Sequence, residues 1–344
     1  MCHLTIFKTF SRKELGMDIE YGVMVNPKAG KGYKQLAPLH KLSRSRLYED
    51  IMSFNMTNHV DEIKPTILKL INEYGVKFIF VFGGDGTAQK IVNIVIYEFL
   101  RGRIKYIPKI ILLGGGTQKA IFQWLGWRKE KPEDIFQRVV QSPFEQLPLR
   151  KLRPLQITFT NADKNREETH YGFIFIMGAI NRVIELYDSE GKSFLNGLKH
   201  VGLGAIASLI KVPRKHAKLI HQFKAKMSAN NLLLPQNNPL SVVCSVTESL
   251  LFGIEPFVGR AESNQFYALC YSIPPWALSP LIPVTVRGSY VPPGDLFLNR
   301  PVFTFELTPE DERTFFIDGE FYNAEPGSPI SIKLGPEIEM VSYF

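Results

Sequence analysis

The stretch Lys77-Phe78-Ile79-Phe80-Val81-Phe82-Gly83-Gly84-Asp85-Gly86-Thr87 holds the residues whose types and spacing best suit chemistry. Glycines at the point where a strand hands over to a helix let backbone N–H groups converge on an anion. Here a carboxylate stands inside that turn. Beside bare phosphate it would repel. Beside phosphate carrying Mg²⁺, or beside a hydroxyl about to attack, it has a use. A tight turn without a ligand is the other reading, and GGDG alone leaves both open. The generic phosphate signatures do not apply: there is no GxxxxGK followed by Ser or Thr, and Gln89 stands where the last glycine of GxGxxG would fall.

The flanking elements must position that turn. Phe78 to Phe82 is an unbroken apolar run, the mark of a strand buried on both faces. Ile91, Ile94, Val95 and Phe99 recur at helical spacing, which predicts a helix from near Ala88. Tyr21 to Val25 reads as a strand ending in Asn26-Pro27-Lys28-Ala29-Gly30-Lys31-Gly32, where Pro27 stops the ladder. A helix carrying Leu36, Leu39 and Leu42 and a strand over Asp50 to Met56 follow. Ile63, Ile67, Leu70, Ile71 and Tyr74 then give a helical stripe, with Asp61 and Glu62 in its first turn where they suit the dipole. Ile110 to Leu113 is another buried strand; it runs into Gly114-Gly115-Gly116-Thr117 and a helical segment through Trp124. Such alternation predicts a parallel, doubly wound sheet. Ligands bind outside the C-terminal edge of such sheets, and the glycine loops 26–32, 83–87 and 114–117 all fall there.

Around Pro148 to Pro154 the pattern changes. Leu155–Thr160, Tyr171–Met177, Leu240–Val246, Phe266–Ile273, Val302–Leu307, Arg313–Ile317, Ile330–Leu334 and Ile338–Tyr343 read as short strands between turn clusters, a largely antiparallel β domain. One helical insertion is expected over roughly 191–210. The organisation expected is a leader at 1–18, an α/β domain at 19–150 and a β domain at 151–344, with the last strands free to pack back on the N-terminal domain.

A chain of 344 residues suits two domains with a sizeable core. Its net charge of +8 favours anionic partners without choosing among nucleotide, lipid surface and nucleic acid. Cys2, Cys244 and Cys270 lie far apart, so neither a disulfide framework nor a zinc site is indicated. Met1 to Glu20 is mixed in character, unlike a signal peptide, and no apolar run approaches the roughly 20 residues of a membrane span. A reducing, cytoplasmic protein is expected. No HExxH, GxSxG or nucleic-acid module is visible, so nucleic acid is not an expected partner.

Val25-Asn26-Pro27-Lys28-Ala29-Gly30, Gly83-Gly84-Asp85-Gly86-Thr87, Gly115-Gly116-Thr117 and Asp318-Gly319-Glu320 together resemble the diacylglycerol kinase catalytic family, over about residues 19 to 340. That family includes sphingosine and ceramide kinases and compact bacterial lipid kinases. GGDGT is shared with NAD kinases, whereas the NPKAG loop and the late DGE point to the lipid kinases. The resemblance implies an ATP-binding α/β domain, a C-terminal β-sandwich, and a cleft between them for a lipid head group. By the same resemblance Asn26, Pro27 and Gly30 touch ATP, Gly83, Gly84, Gly86 and Thr87 hold its phosphates, and Gly116 and Thr117 add nucleotide contacts. Asp85 is implied as general base from sphingosine kinases and Glu320 from bacterial diacylglycerol kinases. Asp318 falls where metal or water-network ligands lie, with Mg²⁺ accompanying ATP. Phosphoryl transfer to an alcohol needs positioning, a cation on the phosphate oxygens and a base for the hydroxyl proton, and these residue types supply them.

Three departures stand against that pattern. Gln89 and Lys90 replace an Asn-Glu pair, Lys119 and Ala120 replace Asn and a frequent Asp, and Ile180 stands where an acceptor-recognising aspartate is common, with Glu185 and Asp188 near in sequence. Lys211, Arg214, Lys215, His216, Lys218, His221, Lys224 and Lys226 form a basic run without an acid, suited to an anionic membrane surface or to a solvated face. Trp276 to Ile282, set among prolines, reads as a domain-junction segment or an apolar loop dipping into lipid. The expected function is a peripherally membrane-associated lipid kinase, with diacylglycerol as first acceptor and a sphingoid base second. A catalytically silent nucleotide- or lipid-binding relative and an NAD kinase-like enzyme stay open.

Overall fold

The computed structural model describes residues 20–27, 52–57, 59–114, 120–127, 130–189, 221–250, 255–274 and 296–343. In chain order its first part carries β1 (Tyr21–Val25), β2 (Met52–Met56), α1 (Ile63–Asn72), β3 (Phe78–Phe82), α2 (Asp85–Leu100) and β4 (Lys109–Leu112). Helices α3 (Ala120–Trp124) and α4 (Pro132–Gln141) precede β5 (Leu149–Leu152). Then come β6 (Leu155–Asn161), β7 (Arg166–Gly172), β8 (Ile174–Gly178), α5 (Ala179–Ser189), β9 (Ala225–Ala229), β10 (Leu232–Leu233), β11 (Ser241–Ser245) and β12 (Phe266–Tyr271). The last are β13 (Phe297–Val302), β14 (Thr304–Pro309), β15 (Thr314–Ile317), β16 (Glu320–Asn323), β17 (Ile330–Leu334) and β18 (Ile338–Val341).

The wholly apolar β1 and β3 are buried at every residue, as strands inside a doubly covered sheet must be. They pair in parallel, Tyr21 opposite Phe78 and Val25 opposite Phe82. The first sheet runs β2-β1-β3-β4-β18-β5. With β2 on one side of β1 and β3 on the other, strand order reverses between β1 and β3, the place where such sheets open a ligand crevice. The final strand β18 lies beside β4 in the parallel sense and antiparallel to β5. Helix α1 buries Ile63, Ile67, Leu70 and Ile71 on one face. Helix α4 starts with Pro132 and carries Glu133 and Asp134 in its first turn, both suited to a helix N-terminus.

The remaining strands form two six-stranded antiparallel sheets, β10-β9-β14-β17-β6-β7 and β13-β12-β11-β8-β15-β16. Leu155, Ile157, Phe159 and Ile332 of one share a core with Phe175, Met177, Phe315 and Ile317 of the other. Strand β6 alternates buried and half-buried residues, because only one of its faces meets this core. Strands β8 and β12 are buried throughout. Their other face, with Ile174, Ile176 and Leu269, joins the apolar cluster of the first sheet. No helix among the described residues is long and apolar enough to cross a membrane.

Four expectations need correction. Helix α2 begins at Asp85 rather than near Ala88: Gly84, in extended conformation, caps it, and the carboxylate residue falls in the first turn. The run Tyr171–Met177 is two strands that change sheets at Phe173, and the polar Arg166–Gly172 half was missed because an edge strand needs little apolar character. Val302–Leu307 breaks likewise at Phe303, between β13 and β14. Lys226, read as part of a basic run, is an exposed residue of β9. The helix around Leu36–Leu42, the insertion at 191–210, most of the basic run and the segment 276–282 lie outside the described residues.

Candidate functional site

The crevice between β1 and β3 is closed by short contacts. The Asn26 N–H donates to the Phe82 carbonyl at 2.9 Å, and Asn26 Nδ2 donates to Thr87 Oγ1 at 3.0 Å. Thr87 folds back over Gly83, where a Cβ would lie 2.5 Å from Thr87 Cβ and 2.7 Å from Oγ1. Only glycine fits there. Gly84 offers no side-chain cap, and the Thr87 and Ala88 amides both donate to its carbonyl at 3.0 Å. The Asp85 and Gly86 amides, with no carbonyl inside the helix to receive them, belong to the first turn of a 16-residue helix and to its positive end. Pro27 follows Asn26 at the same edge, and Gly114, at φ +66°, opens the third glycine loop after β4. Gly30, Gly116, Thr117 and Lys119 lie outside the described residues, as does the side chain of Asp85.

The β15–β16 hairpin meets this helix start from the opposite side. Ile317 pairs with Glu320 across the two-residue turn Asp318-Gly319, whose φ values of +46° and +106° fit a primed hairpin turn. A Cβ on Gly86 would lie 3.4 Å from the Asp318 carbonyl oxygen and 3.9 Å from Glu320 Oε1. These are ordinary van der Waals distances, so helix start and hairpin lie in contact at this point. Asp318 is buried, and its carboxylate accepts from the Phe173 N–H at 2.6 Å and the Ile174 N–H at 2.9 Å. It anchors the hairpin to the corner between β7 and β8. Among the described residues, no three His, Cys, Asp or Glu side chains gather into a metal-binding group. The donor set at Asp318 and Glu320 does not suit a protein-held divalent cation, since backbone amides engage the first and an ammonium the second.

That ammonium is Lys90, whose Nζ lies 2.7 Å from Glu320 Oε1. Both side chains are partly open to solvent, at 31% and 42% exposure. Beside them Gln89 is buried and hydrogen-bonds the Tyr322 hydroxyl. Burial pushes the Tyr322 phenol up to about 12 against that hydrogen bond, with the charges of Glu320, Asp318 and Glu168 adding to the rise. One turn further along α2, Asn93 Oδ1 accepts from the Tyr171 N–H at 2.7 Å. Its Nδ2 donates to the Tyr171 carbonyl and, at 2.9 Å, to the Gln89 carbonyl. Asn93 thus pairs with the free edge of β7 as a backbone amide would. Asn93 and Tyr322 were missed by sequence reasoning, which met Gln89 only as a departure from the family pattern; the hint for Asn93 was an asparagine inside a helix, where its side chain ordinarily competes with the backbone.

At the start of α5, Ile180 donates its N–H to Ser241 Oγ at 3.2 Å and packs against the apolar cluster. Further along α5, burial and the charge of Glu312 hold the Glu185 carboxyl above its ordinary range. The side chain of Asp188 is outside the described residues. Across the whole arrangement, a helix N-terminus, a lysine and a half-exposed carboxylate converge at the reversal point of a parallel sheet. Such a set can bind a phosphorylated anion and take a proton from a hydroxyl.

Residues 20–152 match the family model described as the diacylglycerol kinase catalytic domain. No curated protein sequence matches the chain. Among solved structures, a candidate diacylglycerol kinase from Bacillus anthracis str. Sterne is similar with a TM-score of 0.67 at 17% identity, covering 95% of this chain and 98% of that one. A second structure from that organism, a diacylglycerol kinase, gives a TM-score of 0.61 at 14% identity over 94% and 97% of the chains. A yeast NADH kinase complexed with NADH gives 0.50 at 11% identity over 95% and 84%. At these identities the likeness establishes the fold, an α/β part with a parallel sheet followed by antiparallel sheets. Over residues 20–152, then, the chain is similar to the diacylglycerol kinase catalytic domain, a kinase domain.

Proposed function

We propose that the chain is an ATP-dependent lipid kinase that moves the γ-phosphoryl group of ATP to a lipid hydroxyl, with diacylglycerol as first acceptor and a sphingoid base second. The observation that carries this reading is the meeting of two segments far apart in sequence: Gly86 of the glycine turn lies against Asp318 and Glu320 of the late hairpin. Asn26, Pro27, Gly30, Gly116 and Thr117 would line the nucleotide, and the turn Gly83 to Thr87 would receive its phosphates. The acceptor oxygen bonds to the γ-phosphorus while the bond to the β–γ bridging oxygen breaks and ADP leaves. Glu320 or Asp85 takes the hydroxyl proton. Any Mg²⁺ would be carried by the nucleotide rather than held by these residues, and would supply charge neutralisation at its phosphate oxygens. Anionic membrane contact through the Lys211–Lys226 run, whose described end includes exposed Lys226, would bring the enzyme to its substrate.

The test is transfer of labelled γ-phosphate from ATP to a mixed lipid extract, with NAD as a parallel acceptor and with Asp85→Asn and Glu320→Gln beside the wild type. A labelled lipid made by the wild type, and lost in at least one variant, supports the reading and names the acceptor. Label on NAD alone would overturn it in favour of an NAD kinase. A second reading, nucleotide binding without transfer, is favoured by the Lys90–Glu320 ion pair. ATP binding with no label on any acceptor would establish that one.

A further inference from the structure

We propose that Lys90 is a positioning residue: its ammonium holds the Glu320 carboxylate against the glycine turn and passes to nucleotide phosphate when nucleotide binds, freeing Glu320 for the acceptor hydroxyl. The inference rests on the nucleotide-binding part of the reading above and adds an exchange to it.

Lys90 stands four residues beyond Gly86 on α2, so the two share a helix face. Its Nζ is 2.7 Å from Glu320 Oε1, the same oxygen that lies 3.9 Å from the place of a Gly86 Cβ. Ammonium, carboxylate and the first-turn amides therefore fall within one turn of helix. The pair joins the two parts of the molecule, one partner on a helix of the first sheet and the other on the β15–β16 hairpin. Its exposure of 31% and 42% leaves it solvent-screened, and screened ion pairs are weak. Charge-assisted contacts between an ammonium and phosphate are stronger, more so where helix amides already favour the anion. The neighbouring Asp318 carboxylate is held by the Phe173 and Ile174 amides, one to each oxygen, whereas Glu320 has the Lys90 ammonium as its ion-pair partner. An arriving phosphate would therefore compete with the Glu320 carboxylate for the Lys90 ammonium.

Such an exchange makes opposite predictions for its two partners. Binding of β,γ-imido-ATP with Mg²⁺ to the full chain is measured by calorimetry, without any acceptor. Lys90→Met is expected to weaken binding about tenfold, the loss of one charge-assisted contact. Glu320→Gln is expected to tighten it about threefold or more, because the competing carboxylate is gone. The double variant should match Lys90→Met alone, and Lys90→Arg should stay near wild type. Glu320→Gln binding that is weaker or unchanged would overturn the exchange, as would Lys90→Met binding at wild-type affinity. A pair with a merely structural role would weaken binding from either side. If the wild type binds no analogue at all, the nucleotide reading fails and the exchange fails with it; if the wild type binds and only the signs disagree, the exchange alone fails.

Discussion

Replacing Asn93 by alanine removes the side chain that ties α2 to the edge of β7. In the native chain its Oδ1 accepts from the Tyr171 N–H at 2.7 Å and its Nδ2 donates to the Tyr171 carbonyl. Tyr171 is buried, and alanine leaves both of its backbone groups without these partners. A buried polar group stripped of its partner costs about 1–3 kcal/mol, so two cost about 2–6 kcal/mol. A groove of about 800 Å³, lined by Asn93, Tyr97, Thr169 and Tyr171 among others, adjoins the site and admits water. The expected loss therefore falls at the low end, about 2–3 kcal/mol. Urea unfolding followed by tryptophan fluorescence, to which the buried Trp127 contributes, would read it as a lower midpoint at unchanged slope. Asn93→Asp keeps an acceptor for the Tyr171 N–H but sets an oxygen against its carbonyl, and should cost at least as much. An Asn93→Ala protein within about 0.5 kcal/mol of wild type would refute the reasoning, since that is the range of a surface substitution without a role.

Gly83→Ala puts a methyl 2.5 Å from Thr87 Cβ, so Thr87 must move and its bond to Asn26 must break. A loss of about 1–3 kcal/mol is expected, along with the thermal shift that nucleotide gives the wild type. Asp318→Asn tolerates the φ of +46° but cannot accept both the Phe173 and Ile174 amides, so about 2 kcal/mol of stability should go. Wild-type stability together with lost Mg²⁺ dependence would instead return Asp318 to a metal-ligand role. Burial works to raise the Glu168 carboxyl, but hydrogen bonds from Lys164, Arg166, Asn161 and His170 outweigh it and hold it at about 2, below an ordinary 4.5. A depressed carboxylate contributes stability that is fully present above pH 4.5 and lost as pH falls toward 2. Glu168→Gln should flatten the fall in urea midpoint across that window, and an unchanged slope would count against the network.

The legible parts of the fold were those in which burial writes a pattern into consecutive residues. Phe78–Phe82 and Tyr21–Val25 are apolar at nearly every position because both faces of the first sheet are covered, and the structure returns those strands with the same bounds. Ile330–Leu334 was legible from its alternation, one face buried and one exposed. Arg166–Gly172 was not, because its exposed edge asks for no such pattern. The start of α2 was misplaced because glycines at 84 and 86 obscure a helix whose cap is a backbone conformation rather than a side chain. Asp318-Gly319 is also a turn-forming pair, and the structure makes it the turn of a hairpin set against the glycine loop. The Lys90–Glu320 and Asn93–Tyr171 contacts join residues remote in sequence, and no local pattern carries such pairs.

The place of β18 bears on how the chain comes to life during synthesis. The strand that fills the first sheet between β4 and β5 is translated after every strand of the other two sheets. Trp127 Nε1 donates to the Val341 carbonyl at 3.3 Å, the Ser342 N–H to the Pro148 carbonyl at 2.9 Å, and the Tyr343 N–H to the Leu125 carbonyl at 2.8 Å. Until that strand leaves the ribosome, β4 has an open edge and the indole of Trp127 lacks its acceptor. Domains that form as the chain emerges ordinarily mature from the N-terminus. Here the first sheet is completed after the other two, so a nascent chain cannot present a completed crevice before its β-rich part has been made. Strands β1 and β3 come early, and the sheet that holds them stays a template for wrong pairing until β18 has been made.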